Sequence, residues 1–252
     1  MGVSVGEPMR TLPAGHPSLA RGFASPPGTL VVLGLTGGVL VPPSATDPVT
    51  FGRNTAEVTV PLGEDDRRVS RRHGVLEHHG GRWWVRATGK VPLRLPRSRL
   101  LFTGASPVPL PPGYLPVFAR GSGDREHVLE VRITDGAPDA APAVWLRPDE
   151  RLVLAMVGRS FLRRDECPRA VPVALAAARL STLDPGGGWT PDAVAGVLDG
   201  VRARVRPGRP DAEVVSALVS GAVLVPPDLA LLAPVLPPLP GEVEWMPSTW
   251  GG

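Results

Sequence analysis

The chain has 252 residues, an apolar share of 42% and a formal net charge of +3, enough length for one large or two small domains and too little charge for an overall basic field that would draw it to nucleic acid. Its 32 prolines and 30 glycines call for many tight turns, and Lys90 is the one lysine among 27 Lys and Arg residues, the coding bias of a GC-rich, actinobacterial kind of genome. No apolar stretch approaches eighteen residues and the first twenty lack an apolar signal core, so the expectation is a soluble cytoplasmic protein with no membrane partner.

Residues 1–27 mix Gly, Pro and Ser without apolar periodicity and read as a flexible leader. Thr29 to Val41 is an apolar run broken by glycines, the pattern of a hairpin. Val49 to Phe51 is a short strand that delivers Arg53 at its end, and Val58 to Val60 another. Gly74 to Glu77 and Trp83 to Val85 read as a second hairpin turning at His78-His79-Gly80-Gly81. Alternation places one of Trp83 and Trp84 inward and the other outward. Leu93 to Leu95, Leu100 to Phe102, Val108 to Leu110, Leu115 to Phe118 and His127 to Ile133 complete a series of short strands, which predicts a β-sandwich over 28–134. Residues 135–146 read as a linker. The apolar period then lengthens from two to about 3.6, predicting a small all-α domain over 147–225. Its helices begin at Pro148, Pro172, Thr190 and Asp211, Thr190 and Asp211 acting as caps. Cys167 is alone, which excludes an internal disulfide. The proline-studded tail 226–252 reads as extended, with Trp245 and Trp250 available to pack back on the rest.

Two separated segments carry chemistry. Gly52-Arg53 follows a strand, and Ser70-Arg71-Arg72-His73 precedes another seventeen residues later. A guanidinium offers a planar fork of donors that matches phosphate oxygens, and a serine hydroxyl beside it adds a short directional bond. No catalytic dyad, nucleotide fingerprint or P-loop accompanies them, so a non-enzymatic phosphate receptor without a cofactor is expected. His78 and His79 lack a third ligand at metal-site spacing, and no metal is expected.

These residues, with Arg82-Trp83-Trp84-Val85 and Thr88-Gly89, resemble the forkhead-associated domain, a β-sandwich that binds phosphothreonine peptides. The resemblance implies that Arg53 and Ser70 hold the phosphate. It places Arg72 and Arg68 where basic residues reach the phosphate or the peptide, and Thr88 where the family commonly has an asparagine that bonds the peptide backbone. Gly52, His73 and Gly89 would then shape the loops, His73 by bonding the loop backbone. The implied partner is a threonine-phosphorylated protein, a serine/threonine kinase or its substrate.

The helical half is similar to the tails of several actinobacterial proteins of this family, through Glu150-Arg151-Leu152-Val153-Leu154 and Trp189-Thr190 to Val201-Arg202-Ala203-Arg204, and such tails are winged-helix-like. The reading is a signalling adaptor with a helical second interaction domain. The alternatives are a phospho-responsive transcription regulator, with Arg202, Arg204, Arg206 and Arg209 on DNA phosphates, and a scaffold whose phosphate site has degenerated.

Overall fold

The computed structural model describes residues 8–45, 47–136 and 142–232. Among the described residues, twelve strands form two sheets. The seven-stranded sheet has the order β1-β3-β2-β12-β11-β8-β9, and the five-stranded sheet the order β10-β7-β6-β4-β5. The strands are β1 Arg10–Leu12, β2 Leu30–Gly34, β3 Gly37–Val41, β4 Val49–Gly52, β5 Val60–Pro61, β6 Gly74–His79, β7 Arg82–Ala87, β8 Leu93–Leu95, β9 Arg99–Leu101, β10 Val108–Pro109, β11 Gly113–Arg120 and β12 Glu126–Ile133. All pairings are antiparallel except β4 with β5. Strand alternation sends Leu30, Val32, Phe51, Leu76, Trp83, Val85, Leu129 and Val131 into one shared core between the sheets. Trp83 is the inward tryptophan and donates its ring N–H to the Gly28 carbonyl at 3.0 Å. Trp84 stays half-buried and stacks on His79.

Residues 10–21 depart from the expected leader. Arg10–Leu12 adds an edge strand to β3 in the register Arg10↔Leu40, and a short 3₁₀ turn at Leu19–Arg21 lays fully buried Leu19 against Val31 and Leu33. Ser18 Oγ donates to Glu130 Oε1 at 2.5 Å, and Tyr114 donates to the same oxygen at 2.8 Å. This segment therefore covers the outer face of β2 and β12. Residues 1–7 of the expected leader lie outside the described residues, as do residues 137–141 of the expected 135–146 linker. The β6–β7 turn is also tighter than expected. Gly80-Gly81, with φ of +59° and +73°, makes the turn alone, while His78 and His79 sit in the strand opposite Trp83 and Arg82.

Among the described residues five helices follow: α1 Pro148–Val157, α2 Arg159–Leu162, α3 Val173–Leu183, α4 Pro191–Val205 and α5 Asp211–Ser220, then a 3₁₀ turn over Pro226–Leu232. Thr190 caps α4 by accepting the Ala193 amide at 3.1 Å, with Pro191 at the first helical position. Asp211 is not the cap of α5: Pro210 occupies that position, and the Asp211 carboxylate binds Arg202 instead. Residues 226–232 are a 3₁₀ turn rather than extended chain; the remainder of the tail, with Trp245 and Trp250, lies outside the described residues. No described helix is long and apolar enough to cross a membrane.

The two halves touch through an apolar contact and a buried ionic one. Phe118 and Val128 of the sandwich join the helical core of Val153, Leu154, Met156, Leu198 and Val215. Arg94, buried on β8, grips Glu126 with two bonds of 2.9 and 3.0 Å and donates to the Arg163 carbonyl at 2.6 Å. Its guanidinium also lies 4.1 Å from the Phe118 ring centre. Arg163 reaches the same carboxylate at 3.2 Å. Burial raises the pKa of Glu126, but the charges of Arg94 and Arg163 outweigh it and the carboxyl is held below its ordinary value.

Candidate functional site

One end of the five-stranded sheet brings the two motif segments together. β4 ends at Gly52 and releases Arg53; β6 begins at Gly74, directly after His73. The intervening loops pair as extended backbone. His73 N–H bonds the Phe51 carbonyl at 2.7 Å, Arg53 N–H the Ser70 carbonyl at 3.1 Å, and Asn54 N–H the Arg71 carbonyl at 3.2 Å. Glycine is required at 52 because a Cβ there would stand 2.4 Å from the Arg71 carbonyl oxygen and 2.8 Å from that of Ser70. The spacing between the motifs thus closes a loop whose ends are hydrogen-bonded side by side.

His73 is fully buried beneath this junction. Its Nδ1 accepts the Ser70 N–H at 3.0 Å, which leaves the ring proton on Nε2. Burial lowers its pKa to about 4, against a smaller opposing pull from the Val91 backbone, to which Nε2 makes no full hydrogen bond. A neutral, enclosed imidazole that accepts a backbone bond sets loop shape and has no access to a substrate proton. Gly89 closes over the ring: a Cβ on it would meet His73 Cγ and Nδ1 at 2.9 Å. The Thr88 and Gly89 amides both bond the His73 carbonyl at 3.0 Å, and Thr103 Oγ1 donates to the Gly89 carbonyl.

The groups above this floor are polar and underused. Ser70 Oγ accepts the Lys90 amide at 2.9 Å, so among the described residues its own hydroxyl proton is uncommitted. No hydrogen bond or ion pair among the described residues engages the Arg53 side chain, and its Nε is enclosed without a partner. Arg68 is exposed and likewise unpaired, its backbone N–H alone bonding Asp66 Oδ1. Arg72 lies 3.7 Å from Glu57, both side chains largely solvated, a contact worth a few tenths of a kcal/mol. Thr88 Oγ1 donates to the Arg72 carbonyl at 3.2 Å, which ties the two loops and leaves the hydroxyl able only to accept from a ligand.

Sequence reasoning missed the support beneath this loop. Asp66 is buried and receives His127 Nε2 at 2.9 Å, the Ser122 amide at 2.8 Å and the Ser122 hydroxyl at 2.7 Å. Burial raises its pKa, but the bonds from His127 and Ser122 dominate and hold the carboxyl far below the usual range. In sequence it is one of three adjacent acids, which read as a solvated turn; only the fold separates it from Glu64 and Asp65. Among the described residues no cluster of His, Cys, Asp or Glu could hold a metal ion.

Of the four arginines considered for DNA, three are engaged by acids. Arg202 binds Asp199 and Asp211, Arg204 bonds Glu150 at 2.7 Å, and Arg209 bonds Glu213 at 2.7 Å.

No protein-family model matches the chain, and no curated protein sequence matches it. Among solved structures it is similar to an engineered FHA domain with a Myc-pTBD peptide, at 19% identity over 44% of this chain and 94% of that one, with a TM-score of 0.36. It is similar to the FHA-1 domain of Mycobacterium tuberculosis Rv1747, at 20% identity over 43% and 99%, with a TM-score of 0.33. A third is the N-terminal FHA domain of S. cerevisiae Rad53p in complex with a phosphothreonine peptide, at 22% identity over 42% and 94%, with a TM-score of 0.34. The N-terminal half of the chain is thus a two-sheet sandwich whose Gly-Arg and Ser-x-x-His loops are bonded together over a buried histidine, and the solved structures it is similar to are FHA domains.

Proposed function

We propose that the chain binds threonine-phosphorylated proteins at the Arg53–Ser70 end of its sandwich and serves as a non-enzymatic adaptor in cytoplasmic serine/threonine-kinase signalling, with the helical half as a second interaction domain. One observation carries this reading: Arg53, whose side chain has no partner among the described residues, and Ser70, whose hydroxyl proton is uncommitted among them, lie on two loops locked together backbone to backbone. Unpaired, partly enclosed donors are rare without a ligand to meet them. In this reading Arg53 and Ser70 clasp the phosphate, Arg72 and Arg68 add charge, and Thr88 accepts from the peptide backbone. Gly52, His73 and Gly89 hold the loops. The ion pairs that occupy Arg202, Arg204 and Arg209 favour an interaction domain over a DNA-binding one, since cations already neutralised release few counterions from DNA.

Titration of the full chain against a phosphothreonine peptide library, with the unphosphorylated library as control, tests the reading. Arg53→Ala and Ser70→Ala should each lower affinity for the best phosphopeptide by about 2 kcal/mol or more, roughly thirtyfold, with an unchanged unfolding midpoint for Arg53→Ala and a loss of no more than about 1 kcal/mol for Ser70→Ala, whose hydroxyl accepts the Lys90 amide. Absence of any phosphorylation-dependent binder, or equal binding by Arg53→Ala, overturns it and leaves the degenerate scaffold.

A further inference from the structure

The segment from Glu57 to Arg72 is neutral on paper, with Glu57, Glu64, Asp65 and Asp66 set against Arg67, Arg68, Arg71 and Arg72. The fold pulls the two signs apart. Asp66 is buried against His127 and Ser122. Asp65 takes both of its bonds, 2.7 and 2.9 Å, from Arg125, and Glu64 takes the Thr36 hydroxyl at 2.6 Å. Glu64 and Asp65 are thus committed to the β2–β3 turn and the β11–β12 connection, and Asp66, which also accepts the Arg68 amide, is buried with its charge spent on His127 and Ser122. Their sequence neighbours Arg67, Arg68 and Arg71 are exposed and have no side-chain partner among the described residues. Lys90, whose amide holds Ser70 Oγ, is exposed and unpaired as well. Glu57, shared loosely with Arg72, is the remaining acid of the segment.

We infer that the site selects acidic phosphopeptides, in which carboxylates flank the phosphothreonine, over phosphopeptides with neutral flanks. The inference rests on the phosphopeptide reading and adds to it the charge of the partner. One phosphate on Arg53 and Ser70, with Arg72 and Arg68 adding charge, leaves Arg67, Arg71 and Lys90 unsatisfied. These are long, mobile side chains on exposed loops, and each exposed pair with a ligand carboxylate contributes modestly, so selectivity comes from their sum and is screened by salt. Repulsion excludes the converse ligand: a phosphothreonine flanked by Arg or Lys would bring like charges together at the same loops.

Fluorescence anisotropy with the full chain and three labelled peptides of equal length tests this: phosphothreonine with Ala flanks, phosphothreonine with Asp and Glu flanks, and the acidic peptide without phosphate. The acidic phosphopeptide should bind on the order of tenfold tighter than the Ala-flanked one at low salt, and the gap should shrink at 0.5 M salt. An Arg67→Ala/Arg71→Ala variant should lose most of the gap yet still bind the Ala-flanked phosphopeptide. Equal affinity for the two phosphopeptides at low salt overturns the inference and leaves phosphate recognition standing. Failure of both phosphopeptides to bind removes the phosphopeptide reading itself, and the inference with it. Tight binding of the unphosphorylated acidic peptide that Arg53→Ala leaves unchanged also overturns it, since the loops would then read carboxylates alone.

Discussion

Gly89→Ala puts the construction of the loops to a test that does not depend on any ligand. The residue has no unusual backbone angle to protect, so the effect of a methyl group is purely one of space. That methyl would stand 2.9 Å from two atoms of the His73 ring and 3.0 Å from a third, and the ring is fully buried and cannot swing into solvent. Either the ring moves or the Thr88–Lys90 segment lifts. The first breaks the bond from the Ser70 amide, about 1 kcal/mol, and the second strains the two amides on the His73 carbonyl. Overpacking of a filled interior adds about 1–3 kcal/mol, so the total should be about 2–4 kcal/mol. Urea unfolding of the full chain reads it directly. Gly196→Ala is the matched control, because its Cβ meets nothing within 4 Å and it lies inside α4, where alanine should stabilise by up to about 1 kcal/mol. Opposite signs for the two substitutions are expected. A shift under about 0.5 kcal/mol for Gly89→Ala, with phosphopeptide affinity intact, would refute the claim that the histidine ring is the template for these loops.

Stability should also respond to pH through the same ring. His73 has a folded pKa of about 4 against an unfolded value near 6.5, so the unfolded chain binds the extra proton between those values and stability falls as pH drops through that window. The loss from pH 7 to pH 5 should be about 2 kcal/mol. Glu130 and Asp228, whose pKa values burial raises, act in the opposite sense, so the histidine contribution is the difference between wild type and His73→Gln in urea titrations at the two pH values. Arg94→Ala leaves Glu126 buried with Arg163 and Arg159 as charged neighbours but without its two-bond partner, and empties the space over Phe118; a destabilisation of about 3–5 kcal/mol is expected by the same assay, and a change below 1 kcal/mol would show the cluster to be energetically idle.

The sheet strands were legible wherever alternation and turn residues coincided, as at Leu30 to Val41 and Gly74 to Ala87. Legibility failed where a second layer overrides alternation. Leu93-Arg94-Leu95 reads as in, out, in, yet all three are buried, because the helical half covers the face on which Arg94 lies. Glu130 and Arg132 on β12 are buried for a related reason, the leader having folded over them; Arg132 donates to the Leu19 carbonyl at 3.2 Å. The leader itself carried no signal, since a three-residue edge strand has no period to detect and Leu19 is a single apolar residue among prolines and glycines. At the site, residue types and spacing marked Arg53, Ser70 and His73. The diversion of Glu64, Asp65 and Asp66 to residues more than fifty positions away, or to Thr36, was invisible, because which neighbour a carboxylate chooses is decided by tertiary contact.

The clamp of Arg94 and Arg163 on Glu126 bears on what sort of bridge the proposed adaptor would make. Two modules on a slack string find their targets over a range of separations, set by string length. Here the sandwich and the helices are bolted, with Phe118 and Val128 seated in the helical core, so on the adaptor reading proposed above span and angle between its two ends would be fixed in advance. Such a splint would join only those targets whose own geometry matches it.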